Sequence, residues 1–161
     1  MRIREALPED FAAILRLNEE SVHFLSPLDE SGLAALHAQA AYRRVAEEPG
    51  RVAGFLLALR EGADYGSPNY RWFMAHYASF LYVDRVVVSR QDQGRGVGRL
   101  LYADLFDFAR ASGAPRITLE YDVEPPNPQS RRFHERFGFQ EVGSQRVGPS
   151  QKVVSLQAAE L

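Results

Sequence analysis

The segment Gln93-Gly94-Arg95-Gly96-Val97-Gly98 constrains this chain more than any other. It follows Phe80–Val88 (FLYVDRVVV), a β-branched and aromatic run of strand length. Beyond it Val97, Leu100, Leu101, Leu105, Phe108 and Ala109 recur on one face of a helix. Each glycine in a helix's first turn costs up to about 1 kcal/mol relative to alanine, so glycines at alternate positions need a reason. One reason is a tight turn that packs the helix against a sheet. The other is an anion. Bare backbone lets a phosphate approach the unpaired N–H groups, and the helix dipole favours negative charge there. Arg95 and Arg99 stand where they can add charge-assisted contacts.

The identity of the anion narrows by elimination. A P-loop needs GxxxxGK[ST], and the segment has no lysine. A dinucleotide fingerprint is GxGxxG, whereas this is GxGxG, and the residues Ser89 to Gln93 intervene between strand and glycines. Glu120 does follow Gly98 at about the spacing of a ribose-binding acid. A single βαβ unit starting near residue 80 nevertheless leaves too little chain for a dinucleotide domain.

The remaining pattern alternates strands and helices. Met1–Glu5 reads as an edge strand, and Pro8, Phe11, Ile14, Leu15 and Leu17 as an amphipathic helix ending near Glu20. The stretch SVHFLSPLD reads as a loop, followed by a helix from Glu30 to about Ala41. Tyr42–Ala46 and Arg51–Leu59 form a hairpin around Pro49-Gly50. NYRWFMAHY reads as a short aromatic piece with a helical turn. After the glycine-loop helix, stopped by Ser112-Gly113-Ala114-Pro115, Ile117–Val123 is a strand. Asn127 then caps a helix with Pro128 at its first position, ending at Phe137-Gly138. Phe139–Val147 and Lys152–Gln157 complete a final hairpin. The class is α+β (or α/β) with a mixed sheet, and 161 residues make one domain, 1–161.

Composition excludes several chemistries. The absence of cysteine removes Cys-ligated zinc, iron–sulfur clusters and thiol nucleophiles. A net charge of −2 argues against a nucleic-acid partner, which normally demands a strong basic excess. No apolar stretch approaches the roughly 20 residues that span a bilayer, and MRIREALPEDF has no apolar signal region, so a cytoplasmic protein without membrane contact is expected.

At these residues the chain resembles the GNAT superfamily of acyl-CoA-dependent N-acyltransferases. That family carries a Gln/Arg-x-x-Gly-x-Gly/Ala loop, matched here by Gln93, Gly96 and Gly98. Downstream it shows Asn-x-x-Ala-x-x-Phe/Leu-Tyr-x-x-x-Gly-Phe, matched by Asn127 through Phe139. The order of elements agrees over nearly the whole chain. The resemblance implies a mixed, mostly antiparallel central sheet, splayed at its fourth and fifth strands and flanked by about four helices. It implies acetyl-CoA as co-substrate and no metal. The pantetheine arm would pair with the backbone of Val86, Val87 and Val88, and the pyrophosphate would sit on the amides of Gln93, Gly94, Arg95, Gly96, Val97, Gly98 and Arg99. Asn127 and Ser130 would face the pantetheine, and the C-terminal strands would form a homodimer.

The main departure from the family pattern is His134, where a tyrosine usually protonates the departing thiolate. A histidine, with a pKa near 6.5, suits proton donation when charged. The competing reading is a histidine that only packs or touches the pantetheine. Asp84 and Glu120 each interrupt an apolar strand and are candidates for the base that deprotonates the amine, or for arginine partners. Strand alternation puts Arg85 on the face opposite Asp84, which makes it a poor partner. Backbone N–H groups at Val86 or Val87 would stabilise the oxyanion. His23, Tyr65, Asn69, Tyr70 and Trp72 line an acceptor pocket or cover a sheet edge, while His37 and His76 have no evident partner. The expected activity is N-acetyl transfer to a primary amine, on a small molecule or a protein N-terminus, by direct attack in a ternary complex. The rival is a CoA-binding sensor or structural protein with little catalysis.

Overall fold

The computed structural model describes residues 1–21 and 25–161, so His23 lies outside the described residues. The elements are β1 (Arg2–Glu5), α1 (Phe11–Glu20), α2 (Glu30–Gln39), β2 (Tyr42–Glu48), β3 (Arg51–Arg60), α3 (Pro68–His76), β4 (Leu81–Val88), α4 (Val97–Ala111), β5 (Arg116–Glu124), α5 (Pro128–Arg136), β6 (Gln140–Val147) and β7 (Lys152–Glu160). The strands take the order β1-β2-β3-β4-β5-β7-β6 in an open sheet with β1 at one end, as the edge-strand reading expects. The β4–β5 pair is parallel, while β1–β2, β2–β3, β5–β7 and β6–β7 are antiparallel. The sheet is therefore mixed and mostly antiparallel. Among the described residues no helix is long and apolar enough to cross a membrane.

One element departs from the sequence reading. NYRWFMAHY is not a single helical turn but most of α3, which brings the α-helices among the described residues to five. The signal was local: the Ser67 hydroxyl accepts from the Tyr70 amide at 3.4 Å, and Pro68 occupies a first-turn position. Aromatic side chains lower helix propensity, and that masked the cap.

The chain divides into two units. The first comprises Met1–Leu59 and Val83–Phe108. Its core is built on β3, where Phe55, Leu56 and Leu57 are fully buried, with Ile14 of α1, Leu33 of α2 and Leu101 and Leu105 of α4. The β2–β3 hairpin turns at Pro49-Gly50, where Gly50 takes a φ of 80°. Gly54 of β3 has a different reason to be glycine. A Cβ there would lie 2.8 Å from the Val87 carbonyl oxygen and 3.2 Å from Val97 Cγ1. The Ser89 amide donates to the Ala53 carbonyl at 2.8 Å beside it.

The second unit comprises Arg60–Tyr82 and Ala109–Leu161. It holds the start of β4, paired with β5 at Leu81–Ile117 and Tyr82–Thr118, and the long β5–β7 and β6–β7 ladders. α3 lies against one side of it. A Cβ on Gly143 of β6 would come within 2.5 Å of Trp72 Cζ2, and Gln145 donates to the Asn69 side chain at 2.8 Å.

Candidate active site

In the first unit the glycine loop has the geometry that only glycine adopts readily. Gly94 and Gly96 both have φ 82°, and no atom lies within 4 Å of where their Cβ atoms would stand. The loop surface is thus bare backbone facing open space, as an approaching phosphate requires. The first helical bond of α4 runs from the Leu100 amide to the Gly96 carbonyl at 3.0 Å, so the amides of Val97, Gly98 and Arg99 precede the helical ladder.

The loop is pinned from beneath by a residue the sequence reading passed over. Asp92 is fully buried and accepts from both Arg51 Nη atoms, the Nη2–Oδ1 distance being 2.7 Å, and from Arg95 Nη1 at 2.6 Å. Arg51 hydrogen bonds hold its carboxyl below the ordinary range against the opposing effect of burial, and Arg95 adds to this. Arg95 also reaches Glu48 Oε1 at 3.1 Å. The Arg95 guanidinium is therefore engaged by Asp92 and Glu48 while staying half-exposed, and Arg99 is exposed on α4. No local pattern announces Asp92, because its partner Arg51 is 41 residues away.

Val86, Val87 and Val88 lie on the second half of β4, with Val87 buried and its neighbours part-exposed. Asp84, on the same stretch, is not separated from Arg85 as strand alternation predicts. Arg85 Nε donates to Asp84 Oδ2 at 2.7 Å, and both side chains are 5% exposed. Alternation fixes only the Cβ direction, and an arginine is long enough to fold back along the strand. Asn18 Oδ1 at 2.9 Å and Ser26 Oγ at 3.2 Å accept from its terminal nitrogens and hold it there.

In the second unit Glu120 and His134 occupy opposite faces of β5. Glu120 accepts a hydrogen bond from the Tyr82 hydroxyl on the face that also carries Thr118, a fully buried residue whose Oγ1 has no hydrogen-bond partner among the described residues. Tyr121 points the other way, and the His134 ring stacks on it at 5.6 Å between centroids. α5 positions His134. The Asn127 side chain caps the helix by accepting from the Ser130 amide at 3.3 Å, and the His134 Nδ1–H donates to the Ser130 carbonyl at 2.7 Å. Because Nδ1 keeps its proton in that bond, Nε2 is the ring atom that titrates. His134 is 7% exposed, and burial pushes its pKa below 6.5 despite the Ser130 bond, so the ring is neutral at pH 7.

That depression has a consequence for stability. A neutral buried histidine stabilises the fold above pH 6.5, and the contribution is lost as pH falls through its folded value, because the unfolded chain binds the proton more readily. The difference in unfolding free energy between the wild type and His134→Gln is expected to shrink as pH drops below 6.5 in urea titrations. A difference that stays constant on the acidic side would contradict this account of His134.

The aromatic residues of the predicted acceptor region divide. Tyr70 is 1% exposed and belongs to the core, with Tyr65 edge-on against it at 5.6 Å. Trp72 stacks on His76 at 3.7 Å, and the His76 ring bonds the Trp72 carbonyl through Nδ1. His37, too, has a partner, the Ala6 carbonyl at 2.8 Å. Among the described residues no group of three or more His, Cys, Asp or Glu side chains is arranged to hold a metal ion.

Comparison with known proteins places this geometry in a class. The Acetyltransferase (GNAT) family profile matches residues 4–139, and the chain belongs to that family. A phosphinothricin N-acetyltransferase from Streptomyces coelicolor is 47% identical over 53 residues, a match covering 33% of this chain and 30% of that protein. Ard1 from Thermoplasma volcanium superposes with a TM-score of 0.82 at 17% identity, over 99% of this chain and 97% of that one. yncA from Salmonella typhimurium, solved with its cofactor acetyl-CoA, gives a TM-score of 0.76 at 24% identity, over 100% of this chain and 94% of that one. At these identities the structural likenesses establish the fold.

Proposed function

We propose that this chain, working as one domain, transfers an acetyl group from acetyl-CoA to a primary amine on a small molecule or a protein N-terminus. The observation that carries the reading is the glycine loop: bare backbone at Gly94 and Gly96 leading directly into the start of α4, in a member of an acetyltransferase family. Acetyl-CoA supplies the acetyl thioester. The amides of Gln93, Gly94, Gly96, Val97, Gly98 and Arg99 take its pyrophosphate, the Arg95 amide being already bonded to the Asp92 carbonyl at 3.2 Å; Asp92 keeps the loop in place, and the backbone of Val86, Val87 and Val88 pairs with the pantetheine arm. Asn127 and Ser130 at the start of α5 are assigned to the cofactor by the family motif that they match.

Three proton movements are then required: the ammonium loses one to a base, the nitrogen loses a second to solvent after attack as the amide forms, and the departing sulfur gains one. Glu120 takes the proton from the attacking ammonium, so that a neutral amine attacks the thioester carbonyl. Asp84 is less suited to this, because its carboxylate is already paired with Arg85. His134, on the face of β5 opposite Glu120, passes a proton through Nε2 to the departing sulfur from that side as the carbon–sulfur bond breaks. Being neutral at pH 7, it must first take that proton up, which ties its step to the acidic side of the pH profile. With Cys 0 in the chain no enzyme thiol can carry the acetyl group, which favours direct transfer in a ternary complex.

Incubation with acetyl-CoA and a panel of primary amines, including phosphinothricin and peptides with free N-termini, tests the reading by mass spectrometry. One acetylated amine and an unmodified enzyme are expected. Acetyl-CoA binding without acetylation of any amine would replace the reading with a CoA-binding protein that does little chemistry.

A further inference from the structure

Tyr82 reads in the sequence as one more aromatic of an apolar strand, and its ring is indeed 1% exposed. Packing explains the ring but not the hydroxyl. Tyr82 pairs across the parallel ladder with Thr118, and Glu120 lies two residues further along β5 on the same face. The Tyr82 Oη–H donates to Glu120 Oε1, a charge-assisted bond when the carboxylate is ionised.

The donor is itself held from behind. The Tyr82 ring meets Tyr70 edge-on at 5.4 Å and Phe73 at 5.8 Å. Tyr70 is anchored in turn, donating to the Arg60 carbonyl at 2.6 Å and accepting from the Ala63 amide at 3.0 Å. A series of fixed groups thus runs from the β3 end through α3 to β4 and stops at Glu120, which keeps partial access to solvent. The other charged and titratable groups of this face have partners of their own. Asp122 lies 3.6 Å from Lys152 Nζ, Arg116 is paired with Glu160 at 2.8 Å, and Glu61 accepts from the Phe80 amide at 2.9 Å.

We propose that Tyr82 is a positioning residue, whose phenol holds the Glu120 carboxylate in one orientation and favours its ionised form. This rests on the proton-accepting role given to Glu120 above. A phenylalanine would fill the same space, and only the hydroxyl distinguishes a positioning tyrosine from a packing one.

The test is a carboxyl-carbon NMR titration of the full chain labelled at glutamate, with the Glu120 resonance assigned by its loss in Glu120→Gln. Losing one hydrogen bond to a charged group is expected to raise the Glu120 titration midpoint by about one pH unit or more in Tyr82→Phe. The acid limb of kcat/KM for the amine should move up by the same interval, with KM for acetyl-CoA unchanged. Coincident titrations in the wild type and Tyr82→Phe would overturn the proposal and leave Tyr82 a core residue. If Tyr82→Phe does not fold, the hydroxyl proton of Tyr82 replaces it as the probe. That resonance should lie far downfield in the wild type and move upfield in Glu120→Gln, and a resonance unmoved by that change would overturn the proposal equally. The NMR readings need no turnover, so they stand apart from the base role of Glu120, which fails separately if Glu120→Gln retains wild-type kcat.

Discussion

Glu120→Gln is expected to lower kcat by about 10²- to 10⁴-fold, the usual range for removing a general base. KM for acetyl-CoA should change little, because the Glu120 side chain is not among the groups assigned to the cofactor. Glutamine keeps the size of the side chain and still accepts from the Tyr82 hydroxyl, but it cannot take a proton from an ammonium group. The loss should therefore be smaller at high pH, where more of the free amine is already neutral. A steady-state profile from pH 6 to about 9.5, just short of the lysine range, measures this. An unchanged kcat would return the base to Asp84, despite its pairing with Arg85 at 2.7 Å.

Gly54→Val is expected to carry the largest structural effect. The new side chain would meet a backbone oxygen, Val87 O at 2.8 Å, and not the yielding end of a flexible side chain. Overpacking of this kind costs about 1–3 kcal/mol, read as a lower urea midpoint. The consequence reaches function because the strand that must shift carries Val86, Val87 and Val88. Acetyl-CoA affinity should fall along with stability in this variant. A Gly54→Val protein that is destabilised yet binds acetyl-CoA as the wild type does would show that the β4 backbone is not part of the cofactor site.

The parts of this molecule legible in its sequence are those with local causes. The glycine loop declares itself because backbone conformation is a property of the residue, and Gly94 and Gly96 do adopt positive φ. The apolar face of α4 and the Asn127-Pro128 start of α5 are legible for the same reason, since period and cap lie within a few residues. What escaped depends on groups distant in the chain. Asp92 looks like an ordinary turn residue until Arg51 is folded against it, and the Tyr82–Glu120 bond joins residues 38 apart. The Asp84–Arg85 pair escaped for another reason: alternation describes where side chains start, and arginine ends far from its start. His134 was legible as a departure from a family motif, but its neutral state follows from burial, which only the folded structure supplies.

The central claim is that the glycine loop holds acetyl-CoA, and calorimetric titration of the wild type and Gly96→Val tests it most directly. Valine at a φ of 82° is strained by roughly 1–2 kcal/mol and places methyl groups in the space left open for the pyrophosphate. One acetyl-CoA per chain is predicted for the wild type, with affinity at least about tenfold weaker in a folded Gly96→Val protein. Equal affinities in the two proteins, or no binding by the wild type, would contradict it.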